Sequence, residues 1–136
     1  MGSMSLAGVL LPTLRITAYI AGKYSLRRTV TDASTGLPRP IISFSTQYIP
    51  VMNAIADSFV SVAFVWSAHA AFTDPKHGPG MKHFIAAVSK VAVFERALRN
   101  ASTIGDRCGA QGLLQANQFN PILVCLGFSL ARQAAL

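Results

Sequence analysis

The sequence predicts an all-α fold: an antiparallel bundle of about four long helices, forming a single domain over residues 1–136. Three observations predict it. Apolar residues recur at intervals of three and four over stretches far longer than a strand. Connectors rich in proline and glycine separate those stretches. No strand pattern and no internal repeat survives inspection.

The first helix is expected over residues 5–30. Few breakers follow Pro12, and Leu10, Leu14, Tyr19 and Leu26 lie near one face. Apolar residues continue almost all round it, which predicts burial on more than one side. Residues 31–40 form a connector in which Asp32, Gly36, Pro38 and Pro40 are turn or extended-chain residues. Arg39, between two prolines, is held out of the helical region.

The second helix, 44–72, is the clearest. Tyr48, Met52, Ile55, Phe59, Val62 and Trp66 recur at alternating steps of four and three, while Asn53, Asp57 and Ser61 trace a polar line on another face. Pro50 falls in the first turns, where a missing N–H is tolerated. After the Asp74-Pro75-Lys76-His77-Gly78-Pro79-Gly80 loop, a third helix is expected over 81–105. Ala87, Val91, Phe94, Leu98 and Ala101 form its core stripe, with Lys82, Ser89, Arg96 and Thr103 on a wetter face. Leu113 to Asn117 reads as a short helical piece, and 121–135 as a final helix opened by Pro121 and containing Gly127.

Composition limits the function classes. The chain is 51% hydrophobic and only 12% charged, with mean hydropathy +0.42, whereas a soluble domain carries about a quarter charged residues. So small a domain cannot cover its surface with so few charges. Part of its apolar surface is expected to lie against a partner subunit, the rest of a larger enzyme, or lipid. The formal net charge is +7, which suits anionic lipid or a phosphorylated cofactor such as FAD. Nucleic acid is disfavoured, because the cations are scattered and do not interleave with aromatic residues. The apolar run from Ile49 to Phe72 raises the question of a membrane span, but it is amphipathic and holds Asp57. A carboxylate at mid-bilayer costs about 2.5 to 3.5 kcal/mol, so membrane insertion ranks below the soluble readings. Cys108 and Cys125 fit no metal or redox spacing, and reduced thiols are expected. No signal peptide or peroxisomal tripeptide is read, which places the expectation in the cytoplasm.

The five carboxylates are Asp32, Asp57, Asp74, Glu95 and Asp106. Asp32 and Asp74 suit turns and caps. Glu95, with Arg99 four residues on, favours an ion pair over a general base. Asp57 suits a solvated or interface-paired side chain. His69, His77 and His83 lack metal-ligand spacing, and no metal site is expected. Glu95, Asp57 and His69 remain the candidate acids and bases. Arg28 ends a long helix beside a polar loop. There it serves either as a cation favoured by the helix dipole or as a bidentate phosphate clamp. Asp106-Arg107-Cys108-Gly109-Ala110-Gln111-Gly112 breaks the third helix with glycines that let a phosphate or a neighbouring backbone approach closely, and its backbone N–H groups are expected to be exposed.

Tyr24-Ser25-Leu26-Arg27-Arg28 resembles the tyrosine-to-arginine helix end of acyl-CoA oxidases and dehydrogenases. Ile41-Ile42-Ser43-Phe44-Ser45-Thr46-Gln47 is similar to the segment that opens the next helix in that family. Arg107-Cys108-Gly109-Ala110-Gln111-Gly112 is similar to the Cys-Gly-Gly-x-Gly turn that closes the third. The three occur in order, at interval lengths that fit the family's C-terminal four-helix domain, and the resemblance covers about Ser5 to Asn120. The resemblance implies dimer and tetramer packing, with Arg28, Gly109 and Gly112 reaching the ADP part of an FAD held by a neighbouring subunit. It also implies oxidation of acyl-CoA thioesters, in which a glutamate removes the α-proton and hydride passes to the flavin. Departures are Ser45, Asp106 and Ala110 where the family has glutamine, glutamine and glycine, and the lack of a glutamate after Asn117. The family's N-terminal helical and central β domains are not among the 136 residues, so this chain alone is not expected to be a working oxidase.

The leading expectation is therefore a C-terminal-domain subunit of such a flavoprotein, acting as a homo-oligomer or with a larger subunit carrying the other domains. The second is a flavin-free bundle put to use on an apolar small molecule, as a cyclase or isomerase. The third is a small membrane protein.

Overall fold

A computed structural model describes residues 2–114, 117–119 and 121–122. Its elements are α1 (Gly2–Arg27), a two-stranded ribbon of β1 (Thr29–Thr31) and β2 (Pro38–Pro40), a single 3₁₀ turn at Ile41–Ser43, α2 (Ser45–Thr73), α3 (Pro79–Arg107) and a one-turn α4 (Ala110–Leu113). The class is all-α. The final helix expected over 121–135, and Cys125 within it, lie outside the described residues apart from Pro121 and Ile122.

The three long helices pack mutually. Met4 meets Ala68 and Ala86 at one end. Leu10 and Leu14 meet Val93, Phe94 and Ala97 in the middle. Ala18 and Ala21 meet Val51, Ala54, Ile104 and Cys108 at the other end. So α1 and α3 run parallel, and α2 runs antiparallel to both. Local signals set the boundaries. Arg27 sits in the last turn of α1, where a cation complements the dipole. Pro79 opens α3 with its preset φ and no N–H to satisfy.

Two expectations are corrected. The connector is a β-ribbon, with register Thr29↔Pro40, Val30↔Arg39 and Thr31↔Pro38. Ile41 N–H donates to the Arg28 carbonyl and Asp32 N–H to that of Leu37. The alternation of an antiparallel ladder then places both prolines at positions that need no donor. Asp32 closes the turn: its carboxylate accepts the Ser34 N–H and hydroxyl at 3.0 and 2.8 Å, and these bonds hold its pKa below the usual value. Gly36 supplies the positive φ of +67°.

The second correction concerns α2. Tyr48, Met52, Ile55, Phe59 and Trp66, most of its clearest apolar stripe, are exposed, Phe59 at 67% and Trp66 at 73%. The buried face is Gln47, Val51, Ala54, Ser58, Ser61 and Ala68. Small side chains let α1 and α3 approach closely, and Ser58 satisfies its hydroxyl on the Ile55 carbonyl at 2.7 Å. On α3 the inward face is rotated from the expected stripe. Val91 is exposed, while Ala86, Ser89, Val93, Phe94, Ala97, Asn100, Ala101 and Ile104 are buried.

Candidate functional site at one end of the bundle

The end of the bundle where α1 finishes and α2 begins gathers all three resemblance-bearing segments. Gln47 Nε2, buried in the first turn of α2, donates to Ser25 Oγ of α1 at 2.8 Å. Tyr24 and Ile42 pack on the cluster that contains Cys108 and Ile104 of α3 and Phe119 beyond it. The helix end carrying Arg28, the opening of α2 and the glycine turn are thus joined by a buried polar bond and one apolar cluster.

Arg28 lies just past α1 and is exposed. Its backbone N–H donates to the Tyr24 carbonyl at 2.9 Å. Its guanidinium has no carboxylate within ion-pair distance among the described residues. Arg39 is committed: its Nε donates to Ser43 Oγ at 2.7 Å, its NH1 lies 3.8 Å from Asp32 Oδ2, and its guanidinium sits 4.8 Å from the centre of the Phe44 ring.

The glycine turn is built differently from expectation. Cys108, Gly109 and Gly112 donate their N–H groups to Ile104, Asp106 and Gly109 carbonyls at 3.0, 3.1 and 2.9 Å. Those three amides are therefore not displayed to a ligand. Gly109 takes φ +59° and ψ −141°, a conformation that only glycine adopts readily. Gly112 is buried against α3, where a Cβ would stand 2.3 Å from the Gly105 carbonyl oxygen. The close backbone approach that glycine permits here is to the chain's own helix. The Cys108 thiol is buried, and burial raises its pKa from 9.0 to about 11.

The candidate acids and bases lie elsewhere. Asp57 of α2 binds Arg96 of α3 at 2.6 Å and accepts from Asn100 at 3.2 Å. This replaces the expected Glu95–Arg99 pair: among the described residues Glu95 is exposed without an ion pair. Twelve helical residues separate Glu95 from Arg107, or about 18 Å of helix axis. His69 is exposed toward the far end of α2. Among the described residues, no three His, Cys, Asp or Glu side chains come together as a metal set.

Among the described residues, three grooves stand out on the surface. The largest, about 620 Å³, runs between α1 and α2 and is lined by residues that include Arg15, Tyr19, Lys23, Leu26, Ile55 and Phe59. A second, about 220 Å³, involves Val60, Ser61, Phe64 and Arg96. The third, about 430 Å³, is polar and surrounds Asp57, Arg96, Arg99 and Asn100. None of these three includes Arg28, Gly109 or Gly112. Nothing in the sequence announced the Gln47–Ser25 bond or the first groove, since both depend on how the helices are rotated.

One helix, α2, is long and apolar enough to cross a membrane by length and composition, and 22% of that apolar window is buried within the bundle. Compared with family models, curated proteins and solved structures, the chain matches none.

Proposed function

We propose that the chain is the subunit-packing helical domain of an acyl-CoA oxidase- or dehydrogenase-like flavoprotein, with the Arg28 end forming one wall of an FAD site completed by other polypeptide. The observation that carries this reading is the convergence of Tyr24–Arg28, Ile41–Gln47 and Arg107–Gly112 at one end of the bundle. Three segments scattered over the sequence share one end of the bundle, an arrangement compatible with a common site. Arg28 offers a guanidinium free of carboxylates, and a diphosphate is the kind of group that guanidinium binds in bidentate fashion. Gly109 is exposed in the turn that follows α3, and Gly112 sets that turn by seating it on α3. A bound flavin would supply hydride acceptance. This chain's own residues would bind and orient the nucleotide end, and the general base would come from elsewhere: Glu95 and His69 lie turns away along their helices, and Asp57 is held by Arg96 and Asn100.

A second observation supports the oligomeric part of the reading. Tyr48, Met52, Ile55, Phe59 and Trp66 are exposed in one stripe along α2, and exposed apolar patches mark sites of association. The flavin-free alternative has less behind it: the apolar groove is lined by no carboxylate or histidine.

Purification from the native source without denaturant tests the proposal. The expected result is a yellow complex with a larger polypeptide, in which Arg28→Ala lowers flavin occupancy while the complex stays intact. A colourless, monodisperse monomer would overturn the proposal, as would flavin occupancy indifferent to Arg28.

A further inference from the structure

We infer that the groove between α1 and α2 is a docking site for an acidic amphipathic helix of another polypeptide. Ala18 and Ser58 are buried at its base beside Gly22, and Tyr19, Leu26, Ile55 and Phe59 are exposed along it. Arg15 and Lys23 stand on its α1 side. They are eight residues apart on one helix, which places them about 12 Å apart along the axis. Neither has a carboxylate partner among the described residues, and Lys23 rests 5.7 Å from the centre of the Tyr19 ring. The groove is therefore greasy within and positive along one edge.

Charge and shape select the occupant. Helix-in-groove recognition sets an apolar face into the cleft and leaves polar residues at its rim. Carboxylates two turns apart on the incoming helix would meet Arg15 and Lys23. A second copy of this chain fits poorly: the chain carries twelve Lys and Arg against five Asp and Glu, and two-fold pairing across the groove would bring these cations toward their own copies. An open groove about 620 Å³ in volume between two helices can seat a single helical ridge. The groove shares Ile55 and Phe59 with the exposed α2 stripe but no residue with Arg28 or the glycine turn, so the inference can fail separately from the flavin site.

The test uses the full chain and two labelled synthetic peptides of equal length and helicity. Both carry leucines at helical spacing; one has glutamates eight residues apart at the rim positions, the other lysines. Fluorescence anisotropy is expected to show saturable binding of the glutamate peptide, weakened by salt, and binding of the lysine peptide about tenfold weaker. Reversing the groove's charge, with Arg15→Glu and Lys23→Glu together, should invert that preference while circular dichroism stays unchanged. Phe59→Ser should weaken both peptides. Equal binding of the two peptides would overturn the inference, as would no binding of either or a preference blind to charge reversal. So would binding confined to vesicles of phosphatidylcholine and phosphatidylserine, or occlusion of the groove by a dimer of this chain that persists after charge reversal.

Discussion

At the scale of single residues, the glycine turn carries the tightest constraint. Gly112→Ala drives a methyl group into the Gly105 carbonyl, and backbone rather than a flexible side chain must give way. A loss of about 1–3 kcal/mol is expected in urea unfolding. Gly109→Ala, forced to keep a positive φ, should cost about 1–3 kcal/mol by the same measurement. Cys108 makes a different prediction. The folded thiol titrates near 11 while an unfolded thiol titrates near 9.0, so the unfolded chain gives up its proton first as pH rises. Stability from this group is full below pH 9 and declines between about 9 and 11. Cys108→Ala should flatten that decline. In a Cys125→Ser background, Cys108 should react with a thiol reagent at neutral pH only at the rate of unfolding.

At the scale of elements, α2 divides into two faces with opposite demands. Trp66→Ser on the outer stripe should shift the bundle's stability by no more than about 0.5 kcal/mol, while reducing association seen by sedimentation. Ala54→Leu, at a fully buried contact with α1 and α3, should cost about 1–3 kcal/mol through overpacking. The sequence shows why such a division is hard to read in advance. Steps of four and three identify Tyr48 through Trp66 as one face of a helix, but they do not say which face turns inward. The inward choice fell on Ala54, Ser58, Ser61 and Ala68, whose signal is small volume rather than hydropathy. The same limit rotated α3, where Ser89 is buried with its hydroxyl on the Ile85 carbonyl at 2.7 Å. The three long helices were legible because their periodic runs are long and their connectors hold Pro and Gly. The ribbon was not, because Pro38 and Pro40 read as breakers until their register is known. At the candidate site, Arg28 and the glycine turn were visible as residue types. Their meeting through Gln47 and Ser25 was a property of the packed bundle, as was the commitment of the turn's amides to internal carbonyls.

At the scale of the molecule, a mutually packed trio of helices leaves many large apolar side chains outside. The isolated chain is therefore expected to self-associate as its concentration rises, and co-purification with the proposed partner should abolish that behaviour in light scattering. The interior has a thermodynamic counterpart. Most of the side chains shielded in the core are alanine, serine and valine, and only a few are as bulky as Phe94 or Phe119. Heat capacity follows the non-polar area withdrawn from water. Melting of the lone chain should therefore show a heat-capacity increment below the usual ~12–15 cal/mol/K per residue. Calorimetric titration with the proposed covering polypeptide should instead show a large negative change. On that proposal, much of the hydration penalty that an ordinary domain settles within itself would be deferred to the moment of assembly.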